Sequence, residues 1–463
     1  MTTSPGDYDL AVLGAGPAGL AAAGSAAQSG ARVALLDAGD RVGGQYWRHR
    51  EDDDGSGHHG WTMLLRWRNI LPRLDFLARH AVWHVERIGP GFTVHTGRGP
   101  VRARALVIAT GAYDRQVPFP GWTLPGVFTA GGVQSLLKGQ GVRAGRRIVV
   151  AGSGPFLLPV ATGLARAGAE VAGVFEAGSP AGFARSPRAV LGRPGKLVEG
   201  AGYLKTLARH RIPYRTRTAV VAAHGEGGVD SVTVASLDRQ WRIVAGTERG
   251  IACDTVAVGY GFTPQLEIPL QLGCATRLGL DGSLIAVADG QQRATVPGVY
   301  LAGEVCGIGG AELSLVEGEL AGRHAAFATI GALPDRKVVA RLLRRRRSAR
   351  AFAAAMHAVY PIRPGWQDWL EPSTLVCRCE EVSAGTVRAA VTDLGATDAR
   401  TVKLLARTGM GWCQGRVCGY ATACLAAAGP GGEPAAADLA GLAARPIAQP
   451  VRLGDLAQAP PEP

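Results

Sequence analysis

The spacing of apolar residues changes period several times along the chain, and each change marks an element. Asp9 to Leu13 and Arg32 to Leu36 are short apolar runs on either side of an Ala-rich stretch, which predicts strand, helix and strand ending on Asp37. RRIVVAGSGPFLLPVATGLARAGAEVAGVFEA repeats that succession and ends on Glu176. Between the two, Trp61, Leu64, Leu65, Trp67, Ile70, Leu71, Leu74 and Leu77 keep helical spacing, broken near Pro72, and form a stripe expected in the core. VWHVERI (82 to 88) and FTVHT (92 to 96) alternate with period two across Gly89-Pro90-Gly91 and predict a hairpin, with RARALVIATGAYDR as the next strand.

Beyond Glu176, 178 to 200 is rich in Pro and Gly and reads as loop, and 201 to 211 reads as helix. YRTRTAVVAAH, VDSVTVAS and WRIVAG alternate like the strands of a small meander, and 253 to 262 is a hydrophobic strand running into a glycine turn. In 295 to 322 a strand from Val299 to Ala302 leads through a turn into a helix; VVARLLRRRRSAR (338 to 350) is a basic helical segment; three short helices are expected between 380 and 427. The fold class is therefore α/β. Two Rossmann-like dinucleotide-binding domains are expected, one around each glycine turn. A basic helical linker (336–370), a small helical domain (371–428) and an Ala/Pro-rich tail (429–463) complete the chain.

The turns between these elements carry the chemistry. Gly14, Gly16 and Gly19 stand in G-x-G-x-x-G spacing between strand and helix: the first permits the tight turn, the second lets backbone approach a pyrophosphate, and the third lets helix and strand pack closely. Amides at the helix start then face phosphate, favoured by the helix dipole. Asp37, 23 residues after Gly14, is placed to take the ribose hydroxyls of an adenosine. In the second domain Gly152 and Gly154 keep the first two positions, but Leu157 replaces the third glycine. Glu176 suits the ribose of NAD or another adenine nucleotide and disfavours a 2′-phosphate, since no Arg follows it directly. An occupied nucleotide site and a domain kept for structure and partner contact both remain open for this second domain.

At 463 residues the chain can bury two or three sizeable cores, and 47% hydrophobic content with 66 glycines suits an α/β protein rich in tight turns. The net charge is +13, yet only five of the fifty basic residues are Lys, so the excess reads as a habit of composition. No recognition motif accompanies it: nucleic acid is not an expected partner, while an acidic protein surface is. MTTSPGDYD has no charged-then-apolar signal, and every long apolar run is broken by Gly or charge, so a cytoplasmic protein with no membrane span is expected. His58 and His59 are neighbours on a charged loop, an arrangement that seldom turns both rings to one ion.

Eight cysteines in such a chain point to metal or redox chemistry. Cys377 and Cys379 form C-x-C, and after 33 intervening residues Cys413 and Cys418 form C-x₄-C. Loops at the ends of short helices can bring the two pairs together, for zinc or for a [2Fe-2S] cluster; zinc sites more often use C-x₂-C knuckles, which favours the cluster. Arg378, Lys403, Arg407 and Arg416 are placed to offset its charge. Cys253, Cys274 and Cys424 read as packed thiols, and Cys306 has no Cys at redox-disulfide spacing.

Arg41, the pair Gly43-Gly44 and Gln45, the strand end Ala109-Thr110-Gly111, and Gly303-Glu304 follow the first turn in the order found in the flavoproteins with two dinucleotide domains, which the chain resembles. With the quartet spacing, similar to the bacterioferritin-associated-ferredoxin-like [2Fe-2S] domain, the whole chain resembles the FAD-containing α subunits of heteromeric bacterial amine and imino-acid dehydrogenases. Those of opine oxidase and hydrogen cyanide synthase and the hydroxyproline and proline dehydrogenase relatives belong to this group. The resemblance implies a fold of the FAD/NAD(P)-disulfide-reductase type, in which the second Rossmann-like domain (118–259) is inserted in the discontinuous first (1–117 and 260–335), with FAD held by Gly14, Gly16, Pro17, Ala18, Gly19, Asp37, Arg41, Gly43, Gly44, Gln45, Ala109, Thr110, Gly111, Gly303 and Glu304. Glu304 stands where an Asp often binds the ribityl hydroxyls. Also implied are a glycine-oxidase-like FAD β subunit that oxidises the C–N bond, in some relatives a small [2Fe-2S] subunit or an FMN at the subunit interface, and a downstream acceptor of unknown identity through which the complex can meet a membrane face. No catalytic acid–base constellation is visible in the residues themselves. A stand-alone NAD(P)H-dependent ferredoxin reductase-like enzyme and a redox-sensing regulatory protein are the competing readings.

Overall fold

The computed structural model describes residues 7–427, 432, 434–445 and 447–457. The opening MTTSPG and the remaining positions of the tail lie outside the described residues.

Asp7–Leu13 and Val33–Leu36 pair in parallel, and Gly99–Ile108 joins the other side of Asp7–Leu13, also in parallel. This is the centre of a seven-stranded sheet that the hairpin Val82–Ile88 and Gly91–Thr96 extends antiparallel and Val299–Leu301 completes by pairing with Gly99–Ile108. Helix Pro17–Gln28 begins with Pro in its first turn and is buried all round from Ala18 to Ala26, which is why its sequence is Ala and Gly rather than amphipathic. Its neighbour, helix Ala311–Ile330, approaches so closely that a Cβ on Gly318 would stand 2.1 Å from the Ala18 carbonyl oxygen and one on Gly322 equally close to that of Ala22. Two glycines one turn apart make that crossing possible.

The insert forms its own five-stranded parallel sheet, in the order Tyr214–Thr216, Glu170–Glu176, Arg147–Gly152, Thr255–Gly259, Val127–Thr129. Three expectations change here. Residues 178 to 200 are largely helical (Pro180–Arg185, Pro187–Leu191, and a helix Pro194–Arg209 that begins before 201), because each proline sits in a first turn, where its missing N–H has no helical partner to lose. WRIVAG forms no meander strand: Trp241 has φ +68°, Ile243 makes an isolated antiparallel bridge to Leu237, and the third meander strand is Arg249–Ala252. In the 61–80 stripe the helix stops at Arg68, so Leu77 ends a strand, Asp75–Leu77; Leu65, within the helix, is exposed while Leu64 and Trp67 are buried.

The segment 336–370 is no loose connector. Asp335 caps a helix Arg336–Val359, accepting from the amides of Lys337 and Val338, and Leu342 packs with Val316 and Leu320 of the neighbouring helix. Helices Ala384–Thr392, Ala399–Ala406 and Gly419–Ala426 form the C-terminal unit. The described part of the tail folds back on it: helix Ala436–Ala443 buries Leu442 in the same core as Cys377 and Cys418, and Ala448 is buried against the first domain.

Candidate functional site

Four sites that the sequence singles out meet on one cavity or just behind its wall. In the first turn Gly14 has φ +103°, and a Cβ there would lie 2.5 Å from the Ala109 carbonyl oxygen; a Cβ on Gly19 would lie 1.7 Å from that of Gly14. Gly43 donates its amide to the Ala15 carbonyl, and a Cβ on Gly44 would come within 2.8 Å of Gly16 Cα, so the glycine pair lies directly on the turn. Asp37 closes it: one carboxylate oxygen accepts from the Ala15 amide (2.6 Å) and the other from Gly39 (2.7 Å). Arg41 faces the cavity but pairs with Glu51 at 3.3 Å, and Gln45 accepts from Arg48.

Glu304 is turned differently from the expectation. Its two oxygens accept from the amides of Gly309 (3.0 Å) and Gly310 (2.9 Å), so the carboxylate braces the loop that starts helix Ala311–Ile330, and burial pushes its pKa up to about 7. The residue ahead of it is fixed from behind: the Gly303 amide donates to buried Glu317, which the Arg350 guanidinium also grips at 2.6 and 2.9 Å.

In the second turn Glu176 repeats the Asp37 arrangement one atom further out, accepting from Gly154 (2.8 Å) and Gly178 (2.7 Å). The surroundings differ. Glu176 is 1% exposed and burial pushes it up to about 7. Tyr214, Tyr260 and Tyr360 stand around it, each with its hydroxyl pKa raised by burial and then by the Glu176 charge. Those three tyrosines, Gly154 and Phe156 are on the cavity wall, whereas Glu176 lies behind them.

The cysteine quartet is brought together by tight loops. Glu381, Arg407 and Gln414 adopt positive φ around it, and a Cβ on Gly411 would sit 2.3 Å from Cys379 Cβ. Cys377 has Cys418 as its neighbour, and Cys379 has Cys413. The Cys418 thiol, with backbone amides, pushes the Cys377 thiol down to about 5; Cys377 and burial raise Cys418. Among the described residues no three His, Cys, Asp or Glu side chains gather around one point for a single ion. Two sulfurs in each of two adjacent pairs suit a two-iron cluster better than one tetrahedral zinc.

One cavity of about 1950 Å³ is lined by the first turn, Asp37, Ala109 to Gly111, Glu304, the second turn and Cys413 with Arg378 and Arg416. That is about twice the upper end for a single-ligand pocket. Gly16 and Gly111 line it with nothing closer than 4.0 Å to an added Cβ, so side chains there would fill the cradle that a flavin dinucleotide needs. The residues present therefore fit FAD at the first turn and a [2Fe-2S] cluster at the quartet.

Several wall residues carried no sequence signal. Phe352, Met356, His357 and Tyr360 come from the basic segment read as a linker. Paired carboxylates, absent from any local motif, are assembled by the tertiary fold: Lys196 lies 2.8 Å from Glu199 and 3.4 Å from Glu312, and Arg193 lies 2.6 Å from Glu312. Helical spacing of 193, 196, 199 and 203 is the one pattern that marks this face. His58 and His59 do not converge: His58 is buried on Asp53 at 3.0 Å, and His59 points outward. Cys253, Cys274, Cys306 and Cys424 are buried.

A family model described as pyridine nucleotide-disulphide oxidoreductase matches residues 8–328, and one described as BFD-like [2Fe-2S] binding domain matches residues 375–427. One of the opine oxidase subunits of Agrobacterium tumefaciens is 34% identical, over 98% of this chain and 92% of the relative. Hydrogen cyanide synthase subunit HcnB of Pseudomonas aeruginosa is 33% identical, over 88% of this chain and 90% of the relative. Among solved structures, L-proline dehydrogenase from P. horikoshii superposes with a TM-score of 0.68 at 22% identity, covering 98% of this chain and 80% of that one, a likeness of fold.

Proposed function

The chain belongs to the pyridine nucleotide-disulphide oxidoreductase family, and from that premise we propose that it is the FAD- and [2Fe-2S]-containing subunit of a heteromeric amine, opine or imino-acid dehydrogenase. It relays electrons, and the C–N bond is oxidised on a partner subunit. The observation that carries this reading is that the glycine turn and Cys413 line one and the same cavity. Relatives named as subunits of opine oxidase and hydrogen cyanide synthase align over nearly their whole length and support a subunit role.

Bound FAD supplies two-electron chemistry and the cluster one-electron chemistry. The residues of this chain hold and orient them. The turn from Gly14 to Gly19 offers backbone amides to the pyrophosphate, Asp37 takes the ribose, Gly43-Gly44 and Ala109 to Gly111 leave room, and Glu304, beside Gly303, shapes the wall ahead of helix Ala311–Ile330. Cys377, Cys379, Cys413 and Cys418 ligate the irons. The amine-oxidising partner is a glycine-oxidase-like flavoprotein; a small [2Fe-2S] subunit and an FMN at the interface fit the same assembly. Among the described residues no helix is long and apolar enough to cross a membrane.

Entry of electrons from NADH is disfavoured by the tyrosines in front of Glu176. The test is anaerobic mixing of the reconstituted chain with NADH and then with candidate amino acids, following flavin and cluster absorbance. The expected result is no rapid bleaching by either. Rapid bleaching by NADH with turnover on an added acceptor would remove the subunit reading in favour of a stand-alone reductase.

A further inference from the structure

Arg416 lies between Cys413 and Cys418, and every nitrogen of its guanidinium is committed. Nε donates to the Tyr113 hydroxyl (2.9 Å) and stands 2.9 Å from a Glu267 carboxylate oxygen; Nη1 donates to the Cys413 carbonyl (3.1 Å) and Nη2 to that of Ala448. Tyr113 in turn donates to the same Glu267 oxygen at 2.5 Å, and Arg445 does so at 2.9 Å. The side chains of Arg416, Arg445 and Glu267 are 14%, 7% and 6% exposed, so this is a desolvated group of two cations and one carboxylate. Tyr113 belongs to the strand Ala112–Asp114, which continues directly from Ala109-Thr110-Gly111. The Tyr113–Arg416 hydrogen bond therefore joins the strand that edges the flavin cradle to a cysteine loop 303 positions away in sequence, and both residues face the shared cavity.

We propose that Arg416 is a positioning residue that sets the reduction potential of the quartet's cluster, held against the Cys413 backbone by the Tyr113–Glu267 clasp of the first domain. Reduction of a [2Fe-2S] centre adds one negative charge. A cation fixed close by in a medium of low dielectric favours that state more than one free to turn to water. Second-shell groups that orient a ligand loop also tune the metal they surround. Docking of the C-terminal unit on the flavin domain is then what makes the cluster a competent acceptor, because the clasp exists only when the two are joined. Arg407 contributes less, because its side chain is largely exposed and screened by water.

The inference rests on the cluster reading and is tested on the full, anaerobically reconstituted chain by redox titration, with cluster and flavin followed separately by electron paramagnetic resonance and visible absorbance. Arg416→Gln is expected to lower the cluster's one-electron reduction equilibrium about tenfold, a shift of about 59 mV for a single electron. The flavin potential should stay unmoved and iron content unchanged. Arg416→Lys should fall between the two, and Tyr113→Phe, which leaves the loop residues intact, should shift the cluster in the same direction by less. If either Arg416→Gln or Tyr113→Phe retains its iron with the wild-type cluster potential, the tuning role is wrong while the cluster reading stands. Loss of iron from Arg416→Gln leaves the decision to Tyr113→Phe: an unmoved potential there overturns the proposal. Wild-type protein that binds zinc and no iron removes the cluster reading itself.

Discussion

The ring of Tyr360 rests on Gly178: a Cβ added to that glycine would stand 2.9 Å from Tyr360 Cδ1 and 3.0 Å from a Glu176 carboxylate oxygen. The residue that follows the long basic helix thus covers the corner where a dinucleotide's ribose would meet its acid. Tyr360→Ala should expose that corner, so NADH binding, absent or very weak in the wild type, should become measurable by quenching of nicotinamide fluorescence. Wild-type protein that binds NADH as tightly as the variant does would contradict the closure.

Glu176 also makes a pH signature. Its carboxyl lies at about 7 in the folded protein against an ordinary 4.5, because it is buried. Between those values the folded chain keeps a proton that the unfolded chain has released, so stability falls as pH rises through that window and levels off above it. Glu176→Gln cannot titrate, and the difference between variant and wild type should move in the variant's favour from pH 5 to pH 8, by at most about 3 kcal/mol. Glu304, held up at about 7 by the same cause, titrates in both proteins and leaves part of the slope in place. Urea midpoints across this range check it; a constant offset between the two would contradict it.

The helix crossing under the first turn leaves no room for a side chain on Gly318. Gly318→Ala drives a methyl into the Ala18 carbonyl, and overpacking of this kind costs about 1–3 kcal/mol. The expected outcome is a lower melting temperature together with weaker flavin retention on gel filtration. Gly195→Ala, where an added Cβ meets nothing, is the control and should be neutral or slightly stabilising.

Reconstituted protein should carry about two irons per chain, and Cys379→Ser should lose them along with the cluster's visible absorbance. Iron analysis with parallel zinc analysis decides the point, since stoichiometric zinc in the wild type would mean a different site.

The repeated strand–turn–helix was legible because its glycines answer to local geometry: Gly14 and Gly19 have no room for a side chain, and that is written in the spacing. The C-terminal domain was legible from the spacing of its cysteines, and the BFD-like [2Fe-2S] family model covers residues 375–427. What was not legible depends on contacts between segments far apart. Leu65 has helical spacing but faces water, because the helix buries Leu64 and Trp67 instead. The basic run from 338 to 350 reads as a solvated connector, yet its other face packs on Val316 and Leu320 and its end walls the cavity. Glu304 stands at the expected position, but its longer side chain reaches the Gly309 and Gly310 amides. Glu267, the centre of the Tyr113 and Arg416 network, had no motif at all, because its three partners come from three separate stretches of chain.

The central claim is that this chain passes electrons on and does not itself break the C–N bond. It is tested most directly by anaerobic stopped-flow of the holoprotein with a panel of amines, opines and imino acids, alone and with its glycine-oxidase-like partner added. Flavin and cluster absorbance should stay constant without the partner and bleach together when it is present. Bleaching of the isolated chain by any of these substrates, at a rate that the partner does not change, would contradict the account.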